Sequence, residues 1–255
     1  MIYELAVPQN AACLFCGWEE TIIWSCLQGV MGKIYGNDSV CPDTAMAVLG
    51  DFAFFAGRPE KELVMYKPGW CRQDFIIMVP RNEEWGGVIE SCYKERAKKV
   101  SRYAMKKETG NFDKEKLRKA AGQLPEGYTI RPMDEALYFR CKDAGWSRDL
   151  VSLYESYDQY HQLGIGMVVL KEGEMVSGAS SYSRYRDGIE IEIDTKEGYR
   201  RKGLAYSCSA GLILECLKRG LYPSWDAQNT WSAALAKKLG YHHSHTYTAY
   251  EIWDF

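Results

Sequence analysis

The chain has almost no net charge, no long apolar run, no secretory leader signature and no cluster of histidines or cysteines adequate for a metal. A formal charge of −2 over 255 residues gives no global pull towards nucleic acid or an anionic membrane. Any basic patch must be local. The uncharged stretches near the start, Leu5 to Trp18 and Thr21 to Gly32, are too short and too polar to span a bilayer. Met1 to Pro8 lacks a basic n-region and carries Glu4, which makes a poor signal peptide. Nine cysteines, an odd number, with Cys13 beside Leu14 and Cys216 beside Leu217, suit reduced buried thiols better than a disulfide framework. A cytoplasmic, reducing location is therefore expected.

Metal chemistry finds little support. Cys13-Leu-Phe-Cys16 has no partner pair, and of His242-His243-Ser-His245 only His243 and His245 share a strand face, two ligands where a site needs more. What is present is ordinary globular material: 46% hydrophobic and 26% charged residues, enough for one large or two small domains.

The most legible stretch is Gly188-Ile-Glu-Ile-Glu-Ile-Asp-Thr195. Ile189, Ile191 and Ile193 alternate with Glu190, Glu192 and Asp194, the period of a strand with one apolar and one acidic face. Lys196 to Ala205 follows as a basic loop punctuated by glycine. Tyr206 to Arg219 then carries apolar residues at helical spacing, with Gly220 able to take the left-handed position after it. A strand, a glycine loop and a helix in that order present unpaired N–H groups and the positive end of a helix dipole to an anion. Arg200, Arg201 and Lys202 add charge.

Two phosphate loops are excluded here. Gly198 and Gly203 have P-loop spacing, but Leu204 and Ala205 stand where Lys and Ser or Thr are needed, so β/γ-phosphates and magnesium have no ligands. The dinucleotide fingerprint G-x-G-x-x-G is absent. Arg200-x-x-Gly203-x-Ala205 instead resembles the coenzyme A loop, (Q/R)-x-x-G-x-(G/A), of the GNAT N-acetyltransferase superfamily. The following strand Tyr222 to Ala227, Asn229 as an N-cap, the helix Thr230 to Leu239 and the closing Leu239-Gly240-Tyr241 extend that resemblance over the order of elements. Ser180 to Tyr241 is similar to the bacterial subgroup typified by zwittermicin-resistance acetyltransferases.

The resemblance implies an α/β (α+β) fold with a mixed, mostly antiparallel central sheet flanked by helices. Tyr128 to Pro132 and Met133 onward are similar to the first strand and helix of such a domain, placing it at 126–255. Residues 1–125 are expected to form a smaller α/β unit, either a degenerate GNAT-like half or a cap walling the acceptor pocket. Within it, Cys13 to Tyr35 reads as helical. Ala45 to Ala56 reads as a hairpin turning at Gly50-Asp51, and Phe75 to Val79 as a strand stopped by Pro80. Glu83 to Lys107 reads as a basic helix, solvated by default and a minor candidate for nucleic acid. His243 to Trp253 is expected to close the sheet.

The resemblance also implies the reaction: an acyltransferase that moves an acetyl group from acetyl-CoA to the primary amine of a small molecule by direct attack on the thioester. The coenzyme's diphosphate would be held by Arg200, Arg201, Lys202, Gly203, Leu204 and Ala205. A main-chain N–H along Ile193, Asp194 and Thr195 would meet the thioester arm, and Asn229 would be a helix cap first and a coenzyme contact second. Glu192, with Glu190 next, is the candidate base, since crowded and partly buried carboxylates rise in pKa; the same face could instead bind a cationic acceptor. Many superfamily members carry a Tyr donor where this chain has Ala236. Ser232, Tyr247 or Tyr250 could substitute, or the chain could be a non-catalytic acyl-CoA sensor. Cys208 invites an acyl-cysteine route, but its helical position favours the core.

Overall fold

Two runs of strands in this chain follow one plan. The computed structural model describes residues 1–255. In chain order its first elements are β1 (Tyr3–Glu4), a 3-10 turn (Pro8–Phe15), α1 (Thr21–Gln28), β2 (Lys33–Gly36), β3 (Thr44–Leu49), β4 (Phe52–Gly57), α2 (Lys61–Val64), β5 (Phe75–Pro80), α3 (Glu83–Tyr93), β6 (Ala97–Met105) and α4 (Lys114–Gly122). There follow β7 (Tyr128–Pro132), α5 (Glu135–Asp143), a 3-10 turn (Arg148–Leu150), α6 (Tyr157–Leu163), β8 (Gly166–Lys171), β9 (Glu174–Tyr185), β10 (Gly188–Thr195), α7 (Leu204–Lys218), β11 (Tyr222–Ser224), β12 (Asp226–Ala227), α8 (Thr230–Leu239) and β13 (His243–Trp253).

Strands β1 to β4 are successive antiparallel neighbours and β5 lies parallel to β4. Strands β7 to β10 repeat the pattern, with β11 parallel to β10. A parallel neighbour requires a crossover. Between β4 and β5 that crossover contains α2, one turn long; between β10 and β11 it contains α7, 15 residues. The result is a mixed, mostly antiparallel α/β architecture.

Contacts divide the chain into Met1–Arg102 with Thr246–Phe255, and Tyr103–His245. The first unit packs Met46, Val48, Phe55, Ile76, Trp85, Ile89 and Tyr250 into one core. The second buries Ile189 and Ile191 against Cys208, Leu212, Ile213 and Cys216 of α7, which is the apolar face the alternation of β10 required.

Several expectations are corrected here. The expected boundary at 125 lies in the connection between α4 and β7, whereas contacts divide the chain after Arg102, and Leu117 and Ala120 of α4 belong to the core of the second unit. Cys13 to Tyr35 is not one helix: Gly17, Gly29 and Gly32 take left-handed conformations that interrupt it, and β2 ends the stretch. The helix expected over Glu83 to Lys107 stops at Tyr93, where Lys94 adopts φ 51°. Beyond it lies β6, whose Val100 and Tyr103 suit a strand. The basic residues are dispersed: Lys98 pairs with Glu251, Lys99 with Glu90, and Arg102 covers the Phe52 ring. No basic helical face exists there. Lastly, β13 does not complete the second sheet; Tyr250 to Trp253 pair antiparallel with Met78 to Phe75 of β5.

Candidate active site

The acidic strand is built asymmetrically. β10 pairs with β9 along its whole length, but with β11 only at Gly188 to Glu190. From Ile191 onward one edge has no strand neighbour. The amide of Lys196 bonds to the carbonyl of Val176 on β9, so strand alternation turns the amides of Thr195 and Ile193 away from β9, towards the open edge. Both are held by carboxylates: Thr195 N–H donates to Asp194 Oδ1 at 2.6 Å and Ile193 N–H to Glu192 Oε1 at 3.1 Å. Thr195 O accepts from Arg200 Nε at 3.2 Å.

The three carboxylates lie on the face opposite the isoleucines, as alternation demands. Glu190 is 8% exposed and sits in register between Ser183 on β9 and Ser224 on β11. An irregularity in register between Glu190 and Ile191 lets Tyr182 bulge from β9. Glu192 lies opposite Ser180, whose Oγ is 3.0 Å from the Tyr160 hydroxyl. The Tyr154 hydroxyl is 2.7 Å from Ser181 Oγ, and Tyr185 donates or accepts with Ser224 Oγ at 3.0 Å. Glu192 and Asp194 are half-buried. Burial pushes the Asp194 carboxyl above its ordinary value; the Thr195 amide and Arg200 oppose that, and the charge of Asp149 adds to it.

The loop after β10 leads directly into α7. A 3-10 turn, Glu197–Tyr199, is tied back by Lys196 and the Tyr199 hydroxyl to the carboxylate of Glu174. Gly203 is the N-cap at φ 79° and no side chain caps the helix, so the first amides of α7 (Leu204, Ala205) have no intrahelical acceptor. A Cβ built on Gly203 would meet nothing within 4 Å. This is open space in front of a positive helix end, with no acidic residue in the first turn, and it fits a diphosphate. Arg201 (φ 61°) lays its guanidinium 5.8 Å from the Trp231 ring, and Lys202 lies over Tyr199 at 5.0 Å.

Asn229 caps α8, its Oδ1 accepting from Ser232 N at 2.9 Å. Ala236 is fully buried in the core. Of the alternatives named for its missing hydroxyl, Ser232 Oγ accepts from Trp225 Nε1 at 3.0 Å. Tyr247 and Tyr250 belong to the first unit, and Tyr250 donates to Glu90 at 2.6 Å. Cys208 is buried, its thiol pushed up chiefly by that burial, and it donates to Met167 O at 3.1 Å. It is a core residue. His242 pairs with Glu108 at 2.6 Å, and no group of three or more His, Cys, Asp or Glu side chains could hold a metal ion. No helix is long and apolar enough to cross a membrane.

Sequence reasoning missed Asp149, the hydroxyls lining the acidic face, and Trp231. The run Ser177-Gly-Ala-Ser-Ser-Tyr-Ser183 was a signal for the hydroxyls, since buried serines on a strand need partners.

Antiparallel strands closed by a parallel fifth, a crossover helix with a bare glycine N-cap, and an open edge beside it form the fold of the N-acetyltransferases. Comparison with known proteins agrees. A family model described as GNAT acetyltransferase matches residues 12–250; the chain belongs to this family and is an acyltransferase. It is 27% identical over 240 residues to an uncharacterized N-acetyltransferase, YdfB, of Bacillus subtilis, covering 90% of this chain and 89% of that protein. It is 46% identical, with a TM-score of 0.90, to a GCN5-related N-acetyltransferase-like protein from Streptococcus suis, covering 96% and 98% of the two chains. A tandem GNAT protein from the clavulanic acid biosynthesis pathway shares the fold at a TM-score of 0.56 and 9% identity, covering 100% and 98%.

Proposed function

We propose that the chain transfers an acetyl group from acetyl-CoA to the primary amine of a small molecule, an aminated antibiotic or metabolite of the kind the zwittermicin-resistance resemblance suggests. The carrying observation is the juxtaposition of an uncapped α7 N-terminus, at Gly203, with the open edge of β10. Acetyl-CoA supplies, when bound, the thioester carbonyl that the amine attacks, the carbon–sulfur bond breaking as the carbon–nitrogen bond forms. Arg200, Arg201 and Lys202 with the amides of Gly203, Leu204 and Ala205 hold the diphosphate. The edge amides of Ile193 and Thr195 accept the arm as an added strand, which requires Glu192 and Asp194 to release them. Glu192, or else Glu190, takes the ammonium proton directly or through water, and Asn229 adds a contact to the arm.

The first unit provides no second anchor. Its crossover helix α2 has four residues, with Glu60 at the N-cap and Glu62 in the first turn, while Arg58 is taken by Asp43 and Glu60. Its repeated strand order supports reading it as a degenerate half of the same fold.

Ala236, buried where the superfamily resemblance leads one to expect a Tyr donor, favours a second reading: an acyl-CoA sensor without turnover. Calorimetry with acetyl-CoA, then thiol release against an amine panel, separates the two. No binding by wild type, or equal binding by Gly203→Glu, sinks the first reading and the second together; binding without turnover across the panel leaves the sensor.

A further inference from the structure

Trp231 is the most exposed large aromatic in the chain, 75% accessible, and it stands in the first turn of α8. Apolar area of that size left in water is unfavourable. The backbone beneath the ring is nonetheless firmly placed: Asn229 Oδ1 accepts from Ser232 N at 2.9 Å, and Ser232 Oγ accepts from Trp225 Nε1 at 3.0 Å. The ring has one charged neighbour, the Arg201 guanidinium, 5.8 Å from its centroid. Arg201 itself takes φ 61°, a conformation that side-chain-bearing residues adopt at a cost, and it belongs to the loop read above as the diphosphate anchor.

A free indole face on a fixed backbone, linked by a guanidinium to a diphosphate loop, suits a flat base one ribose away from that diphosphate. We propose that Trp231 is a stacking platform for the adenine of the acyl carrier, with Arg201 between ring and phosphates. The chain then takes its acetyl group from free coenzyme A and discriminates against a pantetheine arm that lacks the nucleotide, such as one carried on a protein. This rests on the coenzyme reading of the preceding section and narrows its donor.

The test uses the full chain and two probes, coenzyme A and 4′-phosphopantetheine, measured by calorimetry. Base–aromatic stacking predicts that Trp231→Ala weakens coenzyme A about tenfold or more, leaves 4′-phosphopantetheine unchanged, and that Trp231→Phe recovers most of the loss. Equal affinity of wild type for the two probes overturns the platform. So does a Trp231→Ala variant that binds coenzyme A as wild type does, or one that loses affinity for both probes alike. A change in self-association with no change in coenzyme affinity assigns the ring to a second copy of the chain and also overturns it. Wild type that binds no coenzyme A at all removes the underlying donor reading, an outcome distinct from these.

Discussion

Asp194 Oδ1 accepts a 2.6 Å hydrogen bond from the amide of Thr195, the residue that follows it. The carboxylate thus serves an amide that has no strand neighbour, and Glu192 does the same for Ile193. Two of the three acids on this face are therefore engaged with the edge that an extended ligand would need.

That bond has a pH signature. Burial raises the Asp194 carboxyl above its ordinary value, so the folded state holds this proton more tightly than the unfolded state. Its contribution to stability is fully present below the ordinary carboxylate pKa of about 3.9 and is lost as pH rises through the shifted value. Asp194→Asn keeps an acceptor and never ionises. Its melting temperature should exceed that of wild type at neutral pH and converge with it near pH 4; a constant offset at both values refutes this account.

Removal of the base should show in rate more than in binding. Glu192→Gln is expected to lower kcat by about 10²- to 10⁴-fold with little change in coenzyme affinity, and to abolish the acid limb of the kcat/KM profile. A retained acid limb in Glu192→Gln, lost instead in Glu190→Gln, moves the role to the more deeply buried acid.

Cys208 should be chemically silent. Its thiol is buried and pushed up by that burial, and the thiolate is the nucleophilic form. Cys208→Ala is expected to retain turnover, and intact-protein mass spectrometry during turnover should show no acetyl adduct. An adduct missing only from Cys208→Ala reverses the conclusion.

Asn82 and Asn229 provide an internal control. Asn82 follows β5 and caps α3, accepting from Trp85 N at 3.1 Å, and Asn229 follows β12 and caps α8, accepting from Ser232 N at 2.9 Å. Either change to Ala should cost about 1 kcal/mol in urea unfolding. Only Asn229→Ala should also raise the KM for acetyl-CoA; equal KM values in both variants reduce Asn229 to a cap.

The legible parts of this molecule were local. β10, the glycine loop, α7 and α8 could be read because alternation, a cap and a terminating glycine all lie within a few residues of what they specify. The hairpin at Gly50-Asp51 and the strand ending at Pro80 were readable for the same reason. β6 was misread because Lys98, Lys99 and Arg102 are spaced as on a helix face, while the partners that hold them, Glu251, Glu90 and Phe52, are remote in sequence. Asp149 reaches Asp194 only through folding, and nothing near Arg148 announces it. The hydroxyl row around Glu190 depends on strand register, which residue identity alone leaves open.

The strand that Tyr250 to Trp253 contribute to the first unit reverses the usual order of assembly during synthesis. Domains generally close in the order in which they leave the ribosome, yet here residues 1–102 lack one strand until residues 246–255 have been made. Residues 103–245 are made before residues 246–255, and β5 lacks its β13 neighbour until that later segment has emerged. A chain truncated before Tyr250 would leave that border of β5 bare, so residues 250–253 act as the closing stitch of the first unit.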